Sequence, residues 1–569
     1  MSAHPTWFGP EAAPLLGVLH VPDDATARGA VVLCPPLGKE HTDSYRGLAL
    51  LAQQLCAAGV VVLRFDYQGT GDSAGEPADD SVQRWLDSIA TAVAHVRSTG
   101  VDHVALAGLR VGALLAAAAV ARCGELAGLA LWDPVTNGRS FLRHQRTLYR
   151  LTIGADVAED GMVSLPFTLL APGAVAELGG LRLTVPEPAG GRPLPVLVAG
   201  RPSAADDQAL AALAARPETT RITVHEHEGF LEPTTSIVRI PADSVAAVAR
   251  WLLGVLPAQR QPVVAQAQTS AVVAVTPDGT AVRESLHRRG PHQLFTIVTS
   301  TDHPPRRSLV LNSLGSHHRI GAGRMHVDLA RSLAAEGVEV IRFDRRLTGD
   351  TTEVRADELA PMYAQVCVQD ARMAAGTVRS AARDTVVAGV CAGGWMAMHA
   401  AAAGDAGTVV VLSPTIWGLR SQERYREAEL AAAQQSGPDE QGPAPVSATR
   451  RHQVKQLLRR RLPYPLWLLL GRAGVTQVPE VALARLLRAG VDVTVVLTPA
   501  DHTWFVEQRG PEGLRRLHRR GLRPRVVIGE EGDHSLLHRG MREQSVTEVR
   551  RAVLAHLRRR DADEDAAPV

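Results

Sequence analysis

Short runs of β-branched and aliphatic residues recur along the chain, separated by stretches whose apolar positions repeat at helical spacing. In the first half the runs AVVLC, VVVLRF and VALAGL alternate with LALLAQQLCAAG and ALLAAAAVARCG. In the second half SLVLN, VEVIRF and TVVAGV alternate with VDLARSLAAEG and WMAMHAAAAG. Most of the strand-like runs are apolar throughout, the pattern of strands buried on both faces. Such strands alternating with helices predict an α/β fold, a mostly parallel sheet with helices on both sides.

The pattern occurs twice. AGVVVLRFD, ending at Asp66, runs on through YQGTGDSAG, and EGVEVIRFD, ending at Asp344, runs on through RRLTGDTTE. Arg64 answers Arg342, Leu37 answers Leu314, and the glycine-flanked turn at Arg110 answers the one at Cys391, at nearly constant separation. A spacing held over so many residues predicts a duplicated domain. The first copy is expected over 1–257, a linker over 258–268 (PAQRQPVVAQAQ begins at Pro257), the second copy over 269–560, and a disordered acidic tail over 561–569. The polar stretch from Gln434 to Ala448 reads as part of a cap inserted into the second copy, spanning roughly 417–490.

Composition narrows the class. With 45% hydrophobic and 21% charged residues the 569-residue chain reads as globular, and its length exceeds what one core usually supports. A net charge of +2 gives no reason to expect nucleic acid as a partner. Arginine clusters at 459–461 and 558–560 read first as solvated helix faces. No run reaches the roughly 18 apolar residues that span a bilayer, and the N-terminus lacks a secretory pattern. The 5 cysteines have no metal-ligand spacing and fit a reducing cytoplasm. No cofactor is expected, since no G-x-G-x-x-G follows the first strand of either copy.

The chemistry concentrates in the second copy. Gly389-Val390-Cys391-Ala392-Gly393-Gly394 follows a strand and opens a helix, the context of a nucleophile elbow. The flanking glycines relieve a tight turn, and the helix N-terminus favours a thiolate and a developing oxyanion. The alternative is a structural glycine turn holding an incidental cysteine. Two later strand ends present Asp501 and His534, giving the order nucleophile, acid, histidine. Asp501 would orient His534 as the base for Cys391, with Asp533 as the rival orienter. The oxyanion hole is expected from the N–H of Ala392 and that of Leu314, with Gly315 close behind. His317 and His318 are candidates for substrate contact; as neighbours they make a poor metal pair.

These residues carry a resemblance. RFD…GD, the elbow and the DHSL ending resemble the α/β-hydrolase superfamily, specifically its serine-aminopeptidase-like or lysophospholipase-like members. The GVCAGG elbow, through Gly389, Cys391, Gly393 and Gly394, is similar to that of dienelactone hydrolases, which use Cys–Asp–His. PPLGKEH, RFDYQGTGDSAG, GLRVGA and WDPVTNGRSFL in the first copy resemble hydrolase-like proteins associated with exosortase and exopolysaccharide systems. The resemblance implies two α/β-hydrolase folds in tandem, each with a cap insertion.

The first copy departs from the pattern. Arg110 stands at its elbow, Phe230 near the place of His534, and Asp206 late in the acid loop. Arginine is no nucleophile, so this copy is expected to be silent. His225 or His227 would serve only under a shifted alignment. Two uses of Arg110 stand open: binding a carboxylate or phosphate, or acting as a plug paired with Asp133 or Glu232. The expected activity is cleavage of an ester, thioester or amide through an acyl-cysteine, on a small-molecule or carrier-linked acyl substrate. An acyltransferase or cyclase using that intermediate, and a non-enzymatic binding protein or scaffold, are the alternatives. Leu462 to Leu470 is a candidate acyl-pocket lining or simply core, and Gln453 to Arg461 a candidate contact for an anionic carrier.

Overall fold

The computed structural model describes residues 2–154, 160–186, 193–204, 206–231, 237–435 and 462–565. They form two compact units. The first comprises Met1–Pro233, Val238–Leu286 and Glu353–Glu358; the second comprises Thr234–Ile237, His287–Thr352 and Leu359–Val569.

The first unit is built on β1 (Ser2–Phe8), β2 (Leu15–Val21), β3 (Ala30–Cys34), β4 (Val61–Phe65), β5 (Val104–Leu109), β6 (Gly128–Trp132), β7 (Val196–Gly200) and β8 (Thr219–Thr223). Their spatial order is β1-β2-β4-β3-β5-β6-β7-β8, antiparallel at β1-β2 and β2-β4 and parallel from β4 onward. Val32 and Leu106 face one layer with helix α2 (Val82–Arg97) and α3 (Val111–Ala119). Val31, Leu33 and Ala105 face the other with α1 (Gly38–Ala57) and α4 (Ala242–Val255). Continuous burial of these strands is why they read as unbroken apolar runs.

The stretch read as the linker lies within this unit. Gln261–Pro262 pairs antiparallel with Thr26–Ala27, and Val263 is buried, its N–H donating to the Ala25 carbonyl. The first compact unit runs on to Leu286, while the strands of the second sheet begin at Ser270.

The second sheet repeats the order. Its strands are β9 (Ser270–Val275), β10 (Ala281–Arg289), β11 (Leu294–Ser300), β12 (Arg307–Asn312), β13 (Val338–Phe343), β14 (Thr385–Val390), β15 (Thr408–Leu412), β16 (Asp492–Leu497) and β17 (Arg525–Ile528). They run β9-β10-β11-β13-β12-β14-β15-β16-β17, which is the first sheet's order with β9 added at one edge. Helices α5 (Met325–Ala334), α6 (Gln365–Ala375) and α7 (Ala392–Ala402) occupy the places the sequence pattern assigns them.

The RFD…GD motif has a structural job in both units. Asp344 accepts the N–H of Asp350 at 2.9 Å, as Asp66 accepts that of Asp72 at 2.9 Å. Gly349 takes φ 49° in this turn, and a Cβ there would collide with the Asp344 carboxylate. Thr351 and Ser73 then bridge back, each accepting an N–H from the neighbouring strand (Phe295 and Leu16). In the second unit Arg319 closes the turn, 2.6 Å from Asp344 and 2.9 Å from Asp350, all three fully buried.

The expected cap is shorter than 417–490. The helix Pro479–Arg488 buries Ala482, Leu483 and Leu486 and packs on α7 and β16, so it is a covering helix of the sheet. Helix α8 (Tyr464–Arg472) buries Tyr464, Trp467 and Leu468 with Val478 in a small satellite core, while Leu466 and Leu469 are exposed. Within 462–470 only Tyr464, Trp467 and Leu468 are buried, so the stretch is core in part. All of Gln453 to Arg461, and Gln434 to Ala448 from residue 436 onward, lie outside the described residues. The last helix continues through Asp565, into the tail expected to be disordered; 566–569 lie outside the described residues. Among the described residues no helix is long and apolar enough to cross a membrane.

Candidate active site

Strand β14 runs directly into α7 through Cys391, whose backbone is held at φ 53°, ψ −113°. This is a conformation a non-glycine residue adopts only when its surroundings impose it. The surroundings are tight. A Cβ at Gly393 would collide with the carbonyl oxygen of Asn312, and one at Gly389 with the backbone of Gly393. The start of α7 thus lies against the 312–313 backbone at the end of β12. Cys391 is 9% exposed, and its N–H donates to the Leu412 carbonyl at 2.8 Å, tying the elbow to β15.

Asp501 and His534 come from the next two strand ends. Thr498 caps helix α9 (Pro499–Glu507), accepting the Asp501 N–H and donating its own hydroxyl to Asp501 Oδ2 at 2.7 Å. The other carboxylate oxygen, Oδ1, lies 2.8 Å from His534 Nδ1. The rival Asp533 is occupied otherwise, its carboxylate accepting the backbone N–H groups of Ser535 at 2.9 Å and His538 at 2.7 Å.

The electrostatics of the three are linked. Burial by itself would raise the Cys391 thiol. The charge and hydrogen bond of His534, the Tyr363 hydroxyl and the Ala392 N–H together hold it below the ordinary thiol value. Burial would lower His534, but the charge of Cys391 and the hydrogen bond to Asp501 keep it well above an ordinary imidazole. Burial would likewise raise Asp501, and the hydrogen bond and charge of His534, with Thr498 behind them, hold it down. These directions favour a thiolate beside an imidazolium whose Nδ1 faces a buried carboxylate.

Of the residues expected at the oxyanion hole, Ala392 opens α7 with its N–H at the Cys391 sulfur. Leu314 and Gly315 lie in the turn after β12, beside the elbow; Gly315 takes φ 44° and its carbonyl accepts from Arg345. His318 is buried and His317 partly so, and the Ser313 hydroxyl donates to the His318 carbonyl at 2.9 Å. Among the described residues no group of three or more His, Cys, Asp or Glu is placed to hold a metal.

One neighbour of Cys391 escaped the sequence reading. Tyr363, in the loop before α6, is buried at φ 56°, with its hydroxyl 3.2 Å from Cys391 Sγ and 2.9 Å from Thr415 Oγ1. Its ring packs edge-on against Trp395 and Tyr425. Nothing in PMYAQV marks this tyrosine, because the loop that delivers it follows no motif.

The first unit keeps the elbow's backbone and loses its chemistry. Arg110 sits at φ 55°, ψ −123°, close to the angles of Cys391. Its guanidinium lies 3.1 Å from Glu40 and 3.4 Å from Asp133, and Arg201 lies 2.6 Å from Asp133. Gln145 completes the cluster on Glu40 at 3.3 Å. Arg110 pairs with Asp133, the partner the plug reading named, and with Glu40, which the sequence did not reveal; Glu232 lies outside the described residues. Phe230 is fully buried and stacks on Trp132, whose indole donates to His227 Nε2 at 2.7 Å. Asp206 is exposed, and Arg201 occupies the acid loop's inward position.

Comparison with known proteins agrees in both halves. The family model of serine aminopeptidase, S33, matches residues 25–155, and that of the alpha/beta hydrolase family matches residues 309–549. Among solved structures, Est1E from Butyrivibrio proteoclasticus with ferulic acid bound is 18% identical, covering 44% of this chain and 98% of its own, at a TM-score of 0.33. An α/β serine hydrolase without lid from Xanthomonas campestris is 19% identical over 46% of this chain and 97% of its own, at 0.30. A dienelactone hydrolase from Anabaena variabilis is 12% identical over 49% of this chain and 98% of its own, at 0.31. No curated protein sequence matches the chain. With a family match in each half and the same strand order in each sheet, the chain belongs to the α/β-hydrolase superfamily and consists of two such domains in tandem.

Proposed function

We propose that the second domain is a cysteine-dependent hydrolase that cleaves an ester, thioester or amide through an acyl-cysteine on Cys391, and that the first domain is catalytically silent. The observation that carries this reading is the Asp501–His534 hydrogen bond of 2.8 Å beside a cysteine at a strained elbow. The Cys391 thiolate attacks the acyl carbonyl, forming the C–S bond as the carbonyl electron pair moves onto oxygen. The Ala392 N–H, with Leu314 or Gly315, receives that charge. Collapse expels the alkoxide, thiolate or amine, which takes its proton from His534. His534 then deprotonates a water that attacks the thioester, and Cys391 leaves as thiolate.

A thiolate here needs a reducing compartment, and the cytoplasm fits that need. Low exposure of Cys391 favours acyl transfer or cyclisation as the second reading, because an amine or alcohol acceptor competes best where water is excluded. The test is intact mass after incubation with a short activated ester. Wild type should gain one acyl group transiently, Cys391→Ala none, and His534→Ala far more slowly. Labelling that persists undiminished in Cys391→Ala overturns the assignment, and acceptors that outcompete water select transfer.

A further inference from the structure

We propose that Tyr363 is a catalytic residue for release of the acyl group, its hydroxyl donating to the Cys391 sulfur so that the cysteine leaves as a stabilised thiolate. The proposal rests on the acyl-cysteine reading above. It begins with position: the phenol oxygen is 3.2 Å from Sγ, within hydrogen-bonding reach for sulfur, and the residue is buried. A second contact, 2.9 Å to Thr415 Oγ1, holds the phenol oxygen in place. Thr415 is itself held in place, since its carbonyl accepts from Trp504 Nε1 at 3.0 Å.

The backbone supplies an independent argument. An aromatic residue at φ 56° is strained, and such strain persists where neighbouring structure imposes it, commonly at functional sites. Buried Arg345 is the clamp. It donates to the Pro361 carbonyl at 3.0 Å and also to the Gly315 carbonyl, joining the loop that carries Tyr363 to the turn beside the elbow. Arg426 adds a bond to the Ala360 carbonyl at 2.9 Å.

The direction of the hydrogen bond follows from charge. The groups facing the phenol are Cys391, Tyr425 and, through Cys391, the His534 imidazolium; Glu429 and Arg426 stand behind Tyr425. Burial and the neighbouring Cys391 raise Tyr363 well above an ordinary phenol, so it keeps its proton and the thiolate accepts.

A donor on sulfur acts differently in the two half-reactions. During attack it holds the lone pair that must form the C–S bond, which moderates nucleophilicity. During deacylation the C–S bond breaks, its electron pair stays on sulfur, and the donor stabilises the charge that appears. A thiol of lower pKa is the better leaving group. Removing the donor should therefore slow deacylation more than acylation.

The experiment follows p-nitrophenyl acetate turnover by the full chain, in wild type, Tyr363→Phe and Thr415→Val. Iodoacetamide alkylation of Cys391 is measured against pH in the same proteins, and circular dichroism confirms folding. In Tyr363→Phe the nitrophenolate burst should stay near one per chain while the steady rate falls roughly tenfold or more, with the acyl mass persisting. The alkylation midpoint should rise by about one to two pH units, the scale of one hydrogen bond to a charged group. Thr415→Val, which loosens the phenol without deleting it, should fall between. Deacylation at the wild-type rate, or equal slowing of both phases with an unmoved alkylation midpoint, overturns the proposal alone. A wild type that never acylates Cys391 overturns the parent reading, and this one with it.

Discussion

At the scale of single residues, the site turns on which carboxylate holds His534. Asp533 is adjacent in sequence, yet both its oxygens serve backbone N–H groups, whereas Asp501 faces the imidazole. Asp501→Asn should lower acyl turnover by about two to four orders of magnitude, through the wrong imidazole tautomer and loss of the imidazolium's partner. Asp533→Asn should leave turnover within a few-fold, since the Asp533 carboxylate serves backbone N–H groups and not His534, although the amide keeps only one of those two acceptors. Steady-state rates on one activated ester decide it. The pH profile follows from the same pair. Cys391 is lowered and His534 raised, so turnover should rise as pH passes up through the thiol's value and fall again as the imidazolium deprotonates. His534→Ala removes the positive partner and leaves burial to raise the thiol, so the alkylation midpoint of Cys391 should move up.

At the scale of elements, the elbow is a backbone device. The side chain at 391 is projected from a turn whose room depends on Gly389 and Gly393. Gly393→Ala should force the start of α7 off the Asn312 carbonyl and destabilise the fold by about 1–3 kcal/mol, the usual overpacking cost. It should also abolish acyl labelling even in the fraction that stays folded, which mass spectrometry and chemical denaturation report separately. The motif RFD…GD, shared by both copies, carries no chemistry: it caps the turn after the strand. Asp344→Ala would leave buried Arg319 with Asp350 as its remaining carboxylate and remove the acceptor that closes the turn, so the loss should stay below the roughly 3–5 kcal/mol of a buried charge left with no partner. Its duplication marks common architecture, which is why it located the repeat while saying nothing of substrate.

At the scale of the whole molecule, two domains with one strand order have diverged at one position of the elbow. The strained backbone at Arg110 survives although its nucleophile is gone, because the β–turn–α crossing needs that conformation whatever side chain it presents. Arg110, Glu40, Asp133 and Arg201 fill the former site with two cations and two carboxylates. Burial raises Glu40, and the neighbouring Arg110 works against that rise. Arg110→Met should therefore lower the melting temperature of the full chain while leaving its acylation rate on Cys391 unchanged. A fall in acylation would show that the first domain contributes to the reaction.

The sequence by itself determined the duplication, the parallel sheets and the chain order of Cys391, Asp501 and His534. Those features follow from local rules: apolar runs buried on both faces, and a glycine-flanked turn between strand and helix. Where the linker ends was decided in tertiary structure, because Gln261–Pro262 is held by pairing with Thr26–Ala27, a partner far away in sequence. The shortened cap came from packing too, since Pro479–Arg488 could be assigned to the sheet only once its neighbours were known. Glu40 as the partner of Arg110, and Tyr363 at the Cys391 sulfur, belong to the same category. Tyr363 arrives on a segment with no motif, and PPLGKEH, which carries Glu40, does not say what Glu40 pairs with; a long-range meeting of side chains leaves no trace in local periodicity.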